Sequence, residues 1–203
     1  MIWRSLPLQR EKIFLTFDDG PCAVGTPAVL DVLKRHSVSA TFFVVGEKLR
    51  GNSELVARMQ REGHAFGNHS VDHRYGHFFT SGPVLRDWIA RGERDLADAG
   101  LRSVGFRPPA GILTPPLRQA ADEMKIPLVM WNTRYFDTFL PWTAGRARRS
   151  ARRLRGGSIV LLHDRQRLAR IGQFCHSLEV FIRTVRERGL EFAPLSSALP
   201  GQS

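Results

Sequence analysis

The apolar pattern predicts an α/β chain built on a parallel sheet, either an open doubly wound sheet or an incomplete barrel. Short strand-like runs alternate with longer helical ones from end to end. The short runs are mostly apolar without strict alternation, as in parallel strands covered on both faces. No linker, low-complexity tract or internal repeat interrupts the pattern, so residues 1–203 read as a single domain.

Seven strands are expected, at residues 13–17, 40–45, 64–68, 105–107, 127–131, 158–163 and 191–194. Helix signals lie between them. Thr26 and Thr114 each stand as a capping hydroxyl before a proline at the first helical position. Ser53 is the expected cap of a helix through Leu55, Val56 and Met59. Residues 82–99 place Val84, Leu85, Trp88, Ile89 and Leu96 at helical spacing, and residues 175–188 do the same with Leu178, Phe181, Ile182 and Val185. The last of these should end before Gly189. Residues 143–155 form a basic amphipathic helix with six arginines, Arg146, Arg148, Arg149, Arg152, Arg153 and Arg155, on one half of the wheel. Its small face is expected to pack on the sheet with the arginines in water; the alternative is docking of Arg146–Arg155 on an anionic membrane surface.

The composition narrows the classes. At 203 residues with 42% hydrophobic and 24% charged residues, the chain can bury a core without staples. It holds no apolar run of about 18 residues, so no membrane span is expected. The opening residues lack the apolar core of a secretion signal, which predicts a cytoplasmic location, peripheral at the membrane if the arginine helix docks there, unless a leader was removed. Cys22 and Cys175 are too few for a disulfide framework and are expected as free thiols. The formal charge of +11 suits an anionic partner or reflects an arginine-rich composition alone. There is no nucleic-acid motif, so no specific nucleic acid is expected, and the chain is read as a monomer.

Two clusters carry chemistry. Residues 13–21 run an apolar strand straight into Asp18 and Asp19 before Gly20 and Pro21 turn the chain. Adjacent side chains leaving a strand point to different sides, so one acid can hold a cation while its neighbour faces water or substrate. On spacing alone a plain polar turn explains them equally well. His69 and His73 supply the partner: four residues apart, they would share one face of a helical turn and grip one ion. Two imidazoles and one carboxylate leave coordination positions open, which is a catalytic rather than a structural layout. The alternative is a surface turn with coincidental histidines. His36, His64 and His176 are read as structural or solvated.

Taken together, these segments resemble the polysaccharide deacetylases, the NodB-homology domain of carbohydrate esterase family 4. Thr16–Pro21 matches the family's Thr-Phe-Asp-Asp-Gly-Pro motif, and His69–His73 its His-Ser/Thr-x-x-His motif. Arg107–Gly111 matches Arg-x-Pro-aromatic-Gly apart from Ala110, and Ile159–Asp164 matches an apolar run into Leu-x-His-Asp. The resemblance implies a distorted seven-stranded (β/α) barrel and a hydrolase that removes N-acetyl groups from an amino-sugar glycan. It implies that Asp19, His69 and His73 bind a divalent metal, Zn2+ first and Co2+ or Ni2+ as alternatives. Asp18 would be the base, His163 the acid, and Arg107 the partner that holds the base. The backbone N–H of Ala110 would serve the oxyanion.

The match departs from the family pattern in two places. Ala110 replaces an aromatic, removing a groove wall beside Pro109. Arg134 stands where many members carry an acid that tunes the histidine. Asp137 is the expected substitute, with Asp164 as the alternative, and Pro109, Trp131 and Tyr135 are expected to line a sugar site unless Trp131 is core. The N-acetylated substrate is accordingly open: a chitooligosaccharide, a peptidoglycan-like strand or a lipid-linked saccharide. Competing readings are a deformylase or amidase acting on another substrate, and a non-catalytic basic binding protein on the same scaffold.

Overall fold

A computed structural model of the chain describes residues 1–198. In chain order its elements are β1 (Ile2–Trp3), β2 (Lys12–Asp18), α1 (Gly25–Arg35), β3 (Thr41–Val44), α2 (Ser53–Arg61), β4 (Ala65–Asn68), α3 (Gly82–Asp98), β5 (Ser103–Phe106), α4 (Pro115–Glu123), β6 (Leu128–Val129), β7 (Thr133–Arg134), α5 (Ala144–Ala151), β8 (Ile159–His163), α6 (Leu168–Arg186) and β9 (Glu191–Phe192). Each of the seven expected strands is present. β1 and β7 are additional two-residue strands, too short to leave a periodic signal.

The strands join in the order β1-β6-β5-β4-β3-β2-β8-β7, with β9 beside the start of β2. Every one of these ladders is parallel. The path does not close from β7 to β1, so the sheet is a curled, incomplete barrel with helices outside. β2 is central. Ile13 to Phe17 are fully buried because β3 and β8 flank the strand and side chains pack on both faces. Phe17 stacks on Phe42 of β3 at 5.1 Å between centroids. A core of Leu30, Leu33, Phe42, Leu162, Phe181 and Val185 locks α1 and α6 onto this side.

The helix termini partly follow the sequence signals. Thr114 and Thr143 cap α4 and α5, accepting from Leu117 N at 3.3 Å and Arg146 N at 3.4 Å. Thr26 is not a cap. α1 begins at Gly25, and the Thr26 hydroxyl accepts from Cys22 N at 2.8 Å and donates to Asp164 at 2.5 Å. Ser53 is the first residue of α2 rather than its cap, Asn52 preceding it without a side-chain bond. α6 begins at Leu168, earlier than its periodicity suggested, and ends before Gly189, whose φ is 74°.

α5 is shorter than the basic run. Ala147, Ala151 and Leu154 are buried, while Arg188 of the chain following α6 donates to the carbonyls of Ala151 and Leu154. The helix thus packs by its small face, leaving Arg148, Arg149, Arg152, Arg153 and Arg155 exposed. Cys22 and Cys175 are free. Among the described residues no helix is long and apolar enough to cross a membrane.

Candidate metal centre and active site

The chemical side chains collect at the C-terminal ends of the strands, where a parallel sheet leaves its functional crevice. Asp18 ends β2, His69 follows β4, Arg107 follows β5, and His163 ends β8. β2 and β8 run in register with Asp18 opposite His163, so base and acid candidates sit on neighbouring strands.

Asp19, His69 and His73 converge without a helix. Asp19, Ser70 and His73 have φ of 76°, 75° and 58°, which turns the two loops inward. The expected helical turn from His69 to His73 is replaced by a loop held by side chains. Asn68 Oδ1 accepts from Ser70 N at 2.8 Å, and Ser70 Oγ accepts from His73 N at 2.9 Å. Lys48 Nζ donates to the Asp19 carbonyl at 2.5 Å from the other side. Asp19 Oδ1 lies 3.1 Å from His73 Nε2 and 3.4 Å from His69 Nε2.

This donor set fits a divalent ion. One ligand atom from each of the three residues lies within 4.8 Å of the others. The Arg107 carbonyl, which can only accept, is 2.7 Å from His69 Nδ1. A proton on Nδ1 satisfies that carbonyl, so deprotonation at Nε2 would leave its lone pair facing the site, the orientation a ligating imidazole needs. Burial opposes ionisation of Asp19. Hydrogen bonds to His69 and His73, with the charges of His69 and His163, override it and hold the carboxyl far below the usual carboxylate range. The site thus presents one carboxylate oxygen and two imidazole nitrogens, a set suited to zinc and cobalt.

Asp18 is held apart from that trio by a buried arginine. Arg107 is wholly inaccessible; its Nη1 donates to Asp18 Oδ1 at 2.7 Å and to Thr16 Oγ1 at 2.8 Å. Nε and Nη2 donate to the Val129 and Met130 carbonyls at 2.9 and 3.1 Å. The Phe43 ring lies 3.8 Å from the guanidinium carbon. One carboxylate oxygen is consequently fixed, and Oδ2 is the oxygen directed at the ion site, 3.8 Å from His69 Nε2.

His163 is gripped from behind by Asp137. Asp137 Oδ1 is 3.0 Å from His163 Nδ1, and Oδ2 accepts from His163 N and Gln166 Nε2, each at 2.9 Å. Burial disfavours the imidazolium, but the hydrogen bond and charge of Asp137, with Asp18 and Asp19, outweigh it and push the pKa up to about 9. Nε2 is then a proton donor at neutral pH. Asp164 does not touch this ring: it is buried against Thr26, and burial raises its carboxyl to about 7. Replacing Asp137 with asparagine leaves burial without the opposing charge, so the His163 pKa is expected to fall. An NMR titration of the imidazole would register the drop; an unchanged value would mean that Asp18 and Asp19 alone sustain it.

Asp18, Asp19, His69, His73 and His163 line one cavity of about 580 Å3, together with Tyr75, Ala110, Trp131, Arg134, Phe136, Thr138, Phe139 and Arg165. Ala110 has φ of 54°, and the bonds of its turn run from Gly111 N to Pro108 O and Ile112 N to Pro109 O. Neither uses the Ala110 amide. Trp131 is part of the wall, closely packed over Gly111, where an added Cβ would meet its ring at 2.4 Å. Two expectations fail. Pro109 is buried and does not line the cavity. Just past β7, Tyr135 turns the other way, stacking on Trp142 at 5.4 Å and meeting Phe181 edge-on, and leaves the cavity to Arg134. Tyr75, Phe136, Phe139, Thr138, Arg165 and Gln166 went unread in the sequence; the aromatic density of residues 135–142 is a signal for Phe136 and Phe139 alone.

The sequence profile described as polysaccharide deacetylase matches residues 6–129. The chain belongs to the polysaccharide deacetylase family. The peptidoglycan-N-acetylglucosamine deacetylase PgdA of Listeria monocytogenes is 32% identical over 189 residues, covering 91% of this chain. The chain spans only 38% of the length of that relative. Among solved structures, the peptidoglycan N-acetylglucosamine deacetylase Bc1960 superposes with a TM-score of 0.85 at 31% identity, over 97% of this chain and 91% of its own. A family 4 acetyl xylan esterase from Clostridium thermocellum, solved with a cobalt ion, gives 0.79 at 34% identity, over 92% and 89%. The incomplete parallel barrel of this member of the polysaccharide deacetylase family is therefore the architecture of carbohydrate esterase family 4.

Proposed function

We propose that the protein is a metal-dependent hydrolase that removes N-acetyl groups from an amino-sugar glycan. One observation carries this reading. A single cavity holds an Asp19-His69-His73 donor trio, a carboxylate fixed by Arg107 and an imidazole fixed by Asp137. The similarity to N-acetylglucosamine deacetylases supports the same acyl group and sugar class.

Asp19, His69 and His73 would hold the ion, which when bound polarises the amide carbonyl and lowers the pKa of water. Asp18 Oδ2, freed by the fixing of Oδ1, takes a proton from the attacking water as its oxygen bonds to the acyl carbon. The Ala110 N–H donates to the oxyanion that develops on the former carbonyl. His163 Nε2, protonated because Asp137 holds Nδ1, gives its proton to the amide nitrogen as the carbon–nitrogen bond breaks. Acetate and a free amino sugar leave.

The test is acetate release from N-acetylated oligosaccharides by protein stripped of metal and then reloaded with Zn2+ or Co2+. Release only after reloading is expected. Formate release from an N-formyl sugar with no acetate from its N-acetyl counterpart would reassign the acyl group, and binding without turnover of either would leave a non-catalytic scaffold.

A further inference from the structure

The cavity wall beside His163 carries two positive charges that the reaction does not use. Arg134 closes β7, which pairs with β8 so that Arg134 lies opposite Leu161, two residues before His163. Arg165 follows His163 by two residues. Both line the cavity that holds the donor trio. Among the described residues neither forms a salt bridge. The nearby acids are already committed: Asp18 to Arg107, Asp137 to His163 and Gln166, and Asp19 to the histidine pair.

Arg134 is also held in place. Its guanidinium carbon lies 3.9 Å from the Phe136 ring centroid and 5.9 Å from that of Trp131. Stacking over two rings restricts the side chain while leaving its N–H edge free to donate. A planar, oriented guanidinium matches the geometry of a carboxylate or phosphate, and a second cation lines the same cavity. A neutral N-acetyl sugar offers no group that would compensate either charge.

We propose that Arg134 and Arg165 form an anion-binding subsite beside His163, and that the preferred substrate is an N-acetylated amino sugar bearing a carboxylate or phosphate near the amide that is cut. This rests on the deacetylase reading for its reaction, though not for its binding. Arg134 and Arg165 act on specificity, because the charge they meet belongs to the sugar and not to the breaking bond.

The experiment compares three probes: neutral N-acetylchitotriose, its 3-O-carboxymethyl derivative and its 6-O-phosphate. Equilibrium binding is measured on the metal-loaded Asp18→Asn protein, and acetate release on the metal-loaded native protein. At low salt, at least tenfold tighter binding and higher kcat/KM are expected for one or both anionic probes, and which of them wins identifies the group. That ratio should fall at high salt and approach one in the Arg134→Gln/Arg165→Gln double variant. Arg134→Lys should restore part of it, which separates a charge effect from a folding defect. Anionic preference in binding without turnover of any probe would support the subsite and contradict the proposed reaction. Equal binding and equal kcat/KM for neutral and anionic probes, or a preference that survives in the double variant, would overturn the subsite.

Discussion

Asp18→Asn is expected to lower acetate release by about a thousandfold with metal still bound. General base catalysis contributes roughly 10²–10⁴-fold, and the asparagine amide keeps the shape of the carboxylate while losing its ability to take a proton. Oδ1 of the new side chain can still accept from Arg107 Nη1, now 2.7 Å from the carboxylate, so the geometry of the pocket should persist. The donor trio does not include Asp18, and one ion per chain should therefore remain. A kinetic comparison at equal metal occupancy reads this out directly. Activity within tenfold of native would remove Asp18 from the role of base and point to another proton acceptor in the cavity.

The second large effect concerns stability. Arg107→Met is expected to destabilise the fold by about 3–5 kcal/mol, the cost of leaving a buried carboxylate without its partner. Asp18 is 2% exposed, so the oxygen held by Arg107 recovers little solvent when the guanidinium is removed. Thr16 Oγ1 and the carbonyls of Val129 and Met130 lose donors as well, so the loss spreads over β2 and the end of β6. Denaturant unfolding of native and variant proteins measures the difference. A change below about 1 kcal/mol would mean that solvent replaces the guanidinium at Oδ1. Pairing Arg107→Met with Asp18→Leu should recover part of the loss, since an apolar replacement of both partners removes the stranded charge.

Much of the fold was legible because its information is local. Parallel strands buried on both faces must be apolar throughout, so Ile13–Phe17 and Ile159–Leu162 read as strands without a partner in view. The site was legible for a related reason: strand ends deliver side chains to one crevice, and Asp18, His69, Arg107 and His163 all stand at or just past the ends of strands. What the sequence hid was conformation and direction. Spacing put His69 and His73 on a helical turn, but left-handed Ser70 and His73 bring them together in a loop. Tyr135 looked like a sugar platform, yet just past β7 it turns to stack on Trp142 and leaves the cavity to Arg134. Thr26 had every local mark of a cap and instead hydrogen-bonds Asp164, 138 residues away. Local chemistry cannot announce partners that only the folded chain supplies.

The most direct test of the central claim is a single titration of stripped protein with Zn2+, in which bound metal and acetate release are followed together. The account predicts that both rise in proportion and saturate at one ion per chain, and that His69→Ala and His73→Ala lose both. Full activity in the stripped protein, or one tightly bound ion with no acetate from any N-acetylated glycan, would contradict it.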